Sequence, residues 1–174
     1  ILYLLPRLLL ISVFLTYVTF AFLSYFDYFE PYLYPLSFIR GKAYLASDMI
    51  IIGPYPHNEE LKKLREDFGV TKVISLLNLN LPQEKALYER EKRDAERLAI
   101  ETVSFPMEYL PLRSESNRQM LGKLIQFIRT HADARIYIHC YLGKHRTGFV
   151  AEGLRDAGFK PARKEGSAKK DSHK

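Results

Sequence analysis

A single cysteine lies at the centre of the segment whose residue types could do chemistry. Residues 136 to 150 are IYIHCYLGKHRTGFV, so an apolar stretch leads into His139 and Cys140 and a glycine-containing loop follows. A helix beginning near Arg146 or Thr147 would aim its N-terminus and several main-chain N–H groups at one point, an arrangement that binds a dianionic phosphate. The same positive field favours a thiolate, because cysteines in such places have pKa values of roughly 3.5 to 7.5 instead of about 8.5. The spacing predicts a nucleophilic thiolate beside an anion-binding loop.

The second chemically useful residue of this segment is an arginine. Arg146 lies six residues after Cys140, close enough round such a loop for its guanidinium to hold two phosphoryl oxygens, which a lysine cannot do. Cysteine and arginine at this spacing are weak evidence alone, but the fuller pattern His-Cys-x2-Gly-x2-Arg-Thr-Gly between a strand and a helix is much rarer by accident. The chain has one cysteine, which excludes an internal disulfide and a multi-cysteine zinc site.

This pattern resembles the signature of the cysteine-dependent protein tyrosine and dual-specificity phosphatase superfamily. The string GKHRTG, residues 143 to 148, looks most like the atypical dual-specificity branch of plants and fungi, whose members include inositol pyrophosphate phosphatases. The earlier stretch SDMIIIGPYPHNEELKKLREDFGVTKVISLL is similar to the opening strand, turn and helix of that branch. The resemblance covers about residues 43 to 157. It implies a phosphate monoester hydrolase that uses no metal and no other cofactor.

The resemblance also implies a role for each residue of the loop. Cys140 would attack phosphorus and form a phosphocysteine, while Arg146 and the loop N–H groups hold the equatorial oxygens. Thr147 would donate a hydrogen bond to the sulfur and help it leave in the second step, and His139 would order the loop from behind. The expected phosphate-binding loop comprises His139, Tyr141, Leu142, Gly143, Lys144, His145 and Gly148.

Three residues of the loop bear on the substrate. Lys144 and His145 either point at a substrate with several anionic groups or are simply solvated. Position 141 is tyrosine where many lipid- and inositol-phosphate members have lysine, which weakens the case for a highly phosphorylated substrate.

A general acid must protonate the leaving oxygen, and in this superfamily it lies on a mobile loop roughly thirty residues before the cysteine. Here that loop is FPMEYLPLRSES, which lacks the usual aspartate. Glu108 is the best placed carboxylate, and Glu115 is the second candidate. Arg113, in the same loop, either binds anionic substrate or is an ordinary surface arginine.

The elements that must position these residues alternate along the chain. Short apolar runs alternate with amphipathic stretches, which predicts an α/β domain with a mixed or mainly parallel sheet of four or five strands flanked by helices, of the protein tyrosine phosphatase type. Strands are predicted at residues 43–46, 49–52, 72–76, 101–105 and 135–139.

Three helices are predicted between the later strands. Asn58 is expected to cap a helix with Leu61, Leu64 and Phe68 on one face, which Gly69 ends in the left-handed conformation. A charged helix over about 83–98 keeps a few residues for packing, namely Leu87, Ala95 and Leu98. A helix starting near residue 116 or 117 places five apolar residues at helical spacing: Met120, Leu121, Leu124, Ile125 and Ile128. The chain ends soon after the next helix, which predicts that Leu154 and Phe159 are less covered than in relatives.

The first 38 residues differ from the rest in composition, since 27 of them are hydrophobic against 55 of the remaining 136. Residues 8 to 26 contain no charge and are long enough to cross a bilayer as a helix. An uncleaved single-pass anchor fits better than a signal peptide, because no small-x-small cleavage pattern follows. A belt of aromatic residues for the headgroup level follows, with Pro31 and Pro35 breaking the helix: Tyr25, Phe26, Tyr28, Phe29, Tyr32 and Tyr34.

The side of the membrane on which the body lies stays open. Arg7 before the span weakly favours an N-terminus in the cytoplasm and an extracytoplasmic body, whereas a working thiolate is safer in a reducing compartment. The predicted organisation is an anchor at 1–38, a phosphatase domain at 39–159 and a basic disordered tail at 160–174.

The charge distribution argues against nucleic acid as a partner. The tail supplies +4 of the formal net charge of +6, so the body is nearly balanced and lacks the basic face of a nucleic-acid-binding domain. The expected partners are a membrane and a phosphorylated protein, lipid or inositol phosphate.

The absent aspartate keeps open a second function, a phosphate-binding pseudophosphatase that docks a phosphorylated partner at the membrane. A rhodanese-like sulfur transferase is a weaker alternative, because its loop is generally one residue shorter.

Overall fold

The structure is a computed structural model that describes residues 4 to 33 and 38 to 160. Tyr34 and Pro35 of the predicted aromatic belt and residues 161 to 174 of the predicted tail lie outside the described residues. All five predicted strands are present, within one or two residues of their expected ends. They are β1 (Tyr44–Ser47), β2 (Ile50–Gly53), β3 (Lys72–Ser75), β4 (Glu101–Ser104) and β5 (Ile136–His139).

The strands form one sheet in the order β1-β2-β5-β3-β4. β1 pairs antiparallel with β2, and all other neighbours are parallel, so the sheet is mixed. β5 is the central strand, and its residues 136 to 139 are buried because helices cover both faces. In this arrangement the loop after β5 opens at the carboxyl edge of the parallel strands, where open α/β sheets bind their ligands.

Helices before the sheet are α1 (Leu4–Ser24), α2 (Phe26–Phe29) and a 3-10 turn (Glu30–Tyr32). Helices between and after the strands are α3 (Asn58–Glu66), α4 (Pro82–Arg97), α5 (Glu115–Thr130) and α6 (His145–Asp156). α5 and α6 cover one face of the sheet, packing Leu124, Ile128 and Leu154 against alternate strand residues such as Ile138. α3 and α4 cover the other face, where Leu61 and Ala95 meet Val73 and Tyr137.

Three expectations about helix ends and packing are wrong. The capping position of α3 is His57 and not Asn58, because the N–H of His57 donates to Glu60 Oε2 (2.9 Å) in a capping box. Phe68 is 46% exposed, since α3 ends at Glu66 and its apolar face stops with Leu64. Leu154 is 1% exposed, because α5 and the sheet cover it.

α1 is long and apolar enough to cross a membrane over Pro6–Ser24, and none of that stretch is buried against the rest of the chain. A signal sequence near an N-terminus passes the same test of length and composition. The aromatic residues after α1 do not all face outward. Tyr25, Tyr28 and Tyr32 are more than 60% exposed, whereas Phe26 packs against a small cluster that includes Leu77 and Leu87.

Candidate phosphate-binding site

Strand alternation separates the two residues that lead into the loop. Cys140 joins the core on the α5–α6 side, and His139 points to the α3–α4 side, as successive residues of an extended chain do. Both are buried, with exposures of 3% and 0%. The thiol therefore lies at the base of the loop, and the histidine lies behind it.

The main-chain N–H groups of the loop are not used by the fold. Among the described residues, no acceptor is present for the N–H groups of residues 142 to 147, and the first such bond beyond them is Gly148 N–H to Lys144 O (2.9 Å). This run includes the first turn of α6, whose N–H groups have no partner within the helix. These N–H groups are therefore available as donors to a ligand.

Thr147 and Arg146 are the polar side chains that interact with the thiol. The Oγ1 of Thr147 lies 3.8 Å from Cys140 Sγ, and Thr147 itself is 1% exposed. The structure thus brings Thr147 to the position expected for a hydroxyl that hydrogen-bonds a thiolate.

Arg146 is buried, and a carboxylate on α4 fixes its guanidinium. Nη1 donates to Glu84 Oε2 (2.8 Å) and Nη2 to Glu84 Oε1 (2.6 Å), a two-point ion pair. Nη1 also donates to the carbonyls of Leu76 (3.0 Å) and Met107 (3.3 Å). Burial by itself lowers the pKa of Arg146, but the hydrogen bonds and charge of Glu84 raise it above its ordinary value, so the guanidinium stays charged.

His139 is held by a second carboxylate of the same helix. Its Nε2 lies 2.9 Å from Glu91 Oε2, and both side chains are 0% exposed. The angles fall outside hydrogen-bond geometry, so the two side chains are in close polar contact without a hydrogen bond. The rings of Tyr55 (centroid distance 5.8 Å) and Tyr137 (6.0 Å) flank the imidazole.

Neighbouring segments fix the backbone of the loop from outside. The N–H of Tyr55 donates to Tyr141 O (3.0 Å), and the N–H of Gly41 donates to Leu142 O (2.8 Å). Gly143 has φ +67° and lies against Gly53 and Pro54, where a Cβ would be 2.7 Å from Gly53 C. A glycine is required here on both counts, because other residues rarely adopt this φ and no space exists for a side chain.

The loop proposed to carry the general acid is held beside Arg146. Met107, whose carbonyl accepts from Arg146, directly precedes Glu108, whose side chain is exposed. Buried Asn117 accepts from Glu108 N–H (2.8 Å) and donates to the carbonyls of Glu108 (2.9 Å) and Leu112 (2.8 Å). Asn117 thus fixes the backbone under Glu108 and leaves the carboxylate in solvent. Glu115 begins α5 and is also exposed, with Arg118 3.9 Å away.

The remaining predicted residues lie at the surface. Lys144 and His145 are exposed, and the ring of Tyr109 meets that of His145 edge-on (5.4 Å). Arg113 is ion-paired with Glu152 of α6 (2.8 Å), so it has a structural partner already. Gly148 is exposed in the first turns of α6.

Sequence analysis missed the residues that support the loop from α4, namely Glu84 and Glu91. The sequence did contain a usable signal. Glu84, Leu87, Glu91 and Ala95 are spaced by three, four and four residues, so two carboxylates lie on the apolar face of a helix. A carboxylate on such a face needs a buried polar partner, and those partners are Arg146 for Glu84 and His139 for Glu91. Two further residues carry no comparable signal: Asn117, and Glu30 of the segment that follows α1.

Comparison with models of known protein families and with curated proteins finds no match. Comparison with solved structures does. The core catalytic domain of a PP-IP phosphatase from S. cerevisiae, solved with citrate, matches with a TM-score of 0.54 at 22% identity over 67% of this chain and 66% of that one. A second structure of that catalytic core has a TM-score of 0.56 at 21% identity over 68% and 67% of the chains. A DUF442 protein from Shewanella putrefaciens has a TM-score of 0.55 at 14% identity over 68% and 74%.

At these identities the likeness shows the fold. The chain has a protein-tyrosine-phosphatase-like α/β fold with a mixed five-stranded sheet flanked by helices, which confirms the predicted fold class. The matched part spans about two thirds of the yeast domain.

Proposed function

We propose that this chain hydrolyses phosphate monoesters through a phosphocysteine intermediate. The observation that carries the proposal is the geometry of the loop: a buried thiol at its base, unused N–H groups at residues 142 to 147, and a fixed guanidinium beside them. The fold shared with phosphatase structures supports the same chemistry.

In the first step Cys140 Sγ attacks phosphorus and the bond from phosphorus to the leaving oxygen breaks. Glu108 gives its proton to that oxygen, while Arg146 and the loop N–H groups stabilise the charge on the three equatorial oxygens. In the second step water attacks the phosphocysteine and gives a proton to the Glu108 carboxylate. The sulfur then leaves as a thiolate, accepting a hydrogen bond from Thr147, and inorganic phosphate is released.

The nucleophile is tested with Cys140→Ser. We expect the variant to lose hydrolysis of an aryl phosphate, because a serine hydroxyl is not ionised near neutral pH, while it still binds inorganic phosphate through the loop and Arg146. The measurements are steady-state turnover and calorimetric phosphate binding. Turnover retained by the serine variant would exclude this mechanism.

The general acid is tested by comparing Glu108→Gln with Glu115→Gln. Loss of the acid should slow poor leaving groups by about 10² or more and good leaving groups far less, because only the poor ones need a proton in the transition state. Glu115→Gln serves as the matched control and should behave like the unchanged protein. Equal losses for both leaving groups in Glu108→Gln would remove Glu108 from this role.

A second candidate, a pseudophosphatase that binds a phosphorylated partner, is favoured by one observation. The loop of residues 105 to 116 contains no aspartate, and both of its carboxylates, Glu108 and Glu115, are exposed. Tight binding of phosphate or a phosphopeptide by the unchanged protein with no turnover would support this alternative.

We further propose that the chain belongs to the atypical dual-specificity branch and that α1 is a single-pass membrane anchor. The string GKHRTG and the fold shared with the yeast PP-IP phosphatase support the first. The apolar Pro6–Ser24 stretch supports the second. Substrate class is tested by assaying phosphopeptides, phosphoinositides, phosphatidylglycerophosphate and inositol phosphates, each with and without lipid vesicles.

A further inference from the structure

The segment that follows α1 is fixed against the domain and not free of it. We call residues 26 to 32, which form α2 and the 3-10 turn, the linker segment. The carbonyl of Asp27 accepts from Arg90 Nη1 (2.7 Å), and the Asp27 carboxylate lies 3.7 Å from Arg93 Nη2, so α4 holds one side of the linker segment. The ring of Phe26 lies 6.1 Å from that of Tyr141, so the linker segment also reaches the phosphate-binding loop.

Glu30 is the residue of the linker segment that is buried most deeply in this contact. It is 5% exposed, and its Oε1 accepts from the hydroxyl of Tyr141 (3.2 Å). His57 Nε2 is 3.6 Å from the same oxygen. Glu30 Oε2 has no hydrogen-bond partner among the described residues. Burying a carboxylate with so few partners is costly, so the contact with Tyr141 is a specific feature and not an incidental one.

Tyr141 is the loop residue that directly follows the nucleophile. Its carbonyl accepts from Tyr55 N–H, and its hydroxyl donates to Glu30, so the residue is held at its backbone and at its side chain. The pKa of Tyr141 is raised, first by burial and then by the charge of Glu30 and its hydrogen bond to it, so the hydroxyl keeps its proton and remains a donor. Among the described residues, no acceptor is present for the N–H of Tyr141 itself or for those of residues 142 to 147.

We propose that Glu30 is a positioning residue for the phosphate-binding loop and that it acts through Tyr141. This inference rests on the proposed phosphatase function. Fixing Tyr141 restricts the backbone that directly follows Cys140 and carries these N–H donors, so the donors converge on one point before substrate arrives. Because those donors are needed most as charge spreads over the equatorial oxygens, releasing Tyr141 lowers kcat more than it changes KM.

The experiment measures kcat and KM for an aryl phosphate in the full chain, reconstituted in one detergent, for a small set of variants. Glu30→Ala and Tyr141→Phe each remove the hydrogen bond and should each lower kcat about tenfold, the usual effect of losing a hydrogen bond to a charged group, with KM changed less than about twofold. Glu30→Gln keeps an oxygen acceptor and should recover most of the lost turnover.

Asp27→Asn is the matched control. It lies three residues away in the linker segment, it contacts Arg93 of α4 and no loop residue, and its carbonyl bond to Arg90 survives the change. We expect it to leave kcat unchanged. Thermal unfolding of every variant separates a catalytic effect from a general loss of stability.

The double variant Glu30→Ala with Tyr141→Phe shows whether Glu30 acts on the loop through Tyr141. If Glu30 acts through Tyr141, the double variant loses no more than the larger single loss. Additive losses, or a Glu30→Ala enzyme with unchanged kcat, would overturn the inference. Should the unchanged protein hydrolyse no phosphate monoester, the proposed function fails by itself. Glu30 is then judged on the affinity for orthovanadate, whose equatorial oxygens mimic those of the transition state, and this affinity must fall in Glu30→Ala and recover in Glu30→Gln.

Discussion

Some N–H groups of the Arg146 guanidinium donate to the protein and fix the side chain, and the others are left for a ligand. A guanidinium has five N–H groups. Glu84 and the carbonyls of Leu76 and Met107 occupy both hydrogens of Nη1 and one of Nη2. Nε–H and the second hydrogen of Nη2 remain, and besides these acceptors the guanidinium interacts with Cys140, the residue at the base of the loop. Two donors on adjacent nitrogens are what a bidentate contact with a phosphoryl group requires.

Glu84→Gln tests this arrangement at the level of one residue. The variant leaves a buried guanidinium without its counter-charge, so we expect the free energy of unfolding to fall by about 3 kcal/mol and turnover to fall with it. Urea unfolding and aryl phosphate turnover measure the two effects. Glu152→Gln, which breaks the exposed pair with Arg113, is the control and should cost less than about 1 kcal/mol. Equal costs for the two variants would contradict the role of Glu84.

Residue types predicted much of the loop because its chemistry needs particular side chains at particular spacings. Residue types and spacing led to Cys140 and Arg146, and the resemblance to the phosphatase superfamily added Thr147; in the structure, both Thr147 and Arg146 interact with Cys140. Asn117 and Glu30 could not be predicted in the same way, because each acts on a residue that only the fold brings near: Asn117 on the backbone of Glu108, and Glu30 on Tyr141. Neither residue has a local property in the sequence that distinguishes it from a solvated one.

Among the elements, α4 joins the sheet to the site. It packs Leu87 and Ala95 inward and presents Glu84 and Glu91 on the same face, one to the loop and one behind it. Glu84 and Glu91 are seven residues apart, which is two turns or about 10.5 Å of helix. Because Glu84 contacts Arg146 and Glu91 contacts His139, a single rigid helix sets the separation of these two contacts. A slip of α4 along its axis would displace both contacts together.

The turn at Gly143 is the element on which the direction of the loop depends. Gly143→Ala should lower kcat/KM by about two orders of magnitude, because a Cβ there meets the main chain of Gly53 and Pro54 and the loop must move. Gly122→Ala in α5 is the control, since a Cβ there contacts nothing within 4 Å. It should raise the melting temperature by a few degrees, as expected for replacing a helical glycine, and leave activity unchanged. Full activity in Gly143→Ala would contradict the geometry.

Strands and helices were predictable to within a few residues because apolar periodicity and turn residues are local. The exceptions have local causes too. The pattern from Leu61 to Phe68 continues past the end of α3, but the chain turns away after Glu66, so Phe68 is left outside. The order of the strands was not predicted, because periodicity says nothing about which strands are neighbours.

At the scale of the whole molecule, α1 stands apart from the domain core. Leu15 lies near the middle of the apolar stretch and is 57% exposed. Leu15→Arg should therefore weaken membrane insertion by about 2.5 to 3.5 kcal/mol without disturbing the domain. Flotation with lipid vesicles and resistance to alkaline extraction measure the anchoring. Phe68→Arg, another exposed apolar position, is the control, and equal release of both variants would argue against a spanning helix.

The short linker segment has a consequence for how such an enzyme would meet its substrate. Glu30, which contacts the loop, lies six positions after Ser24 at the end of α1, and six steps of 1.5 Å per helical residue give a rise of about 9 Å. This is comparable to the thickness of one headgroup layer, about 5 to 8 Å. With α1 in a bilayer, the site travels in the plane of the membrane at that height, and collisions with membrane-borne phosphates become two-dimensional. Turnover of such phosphates would then follow their density per unit area of membrane, and dilution of the vesicles in buffer would leave it unchanged.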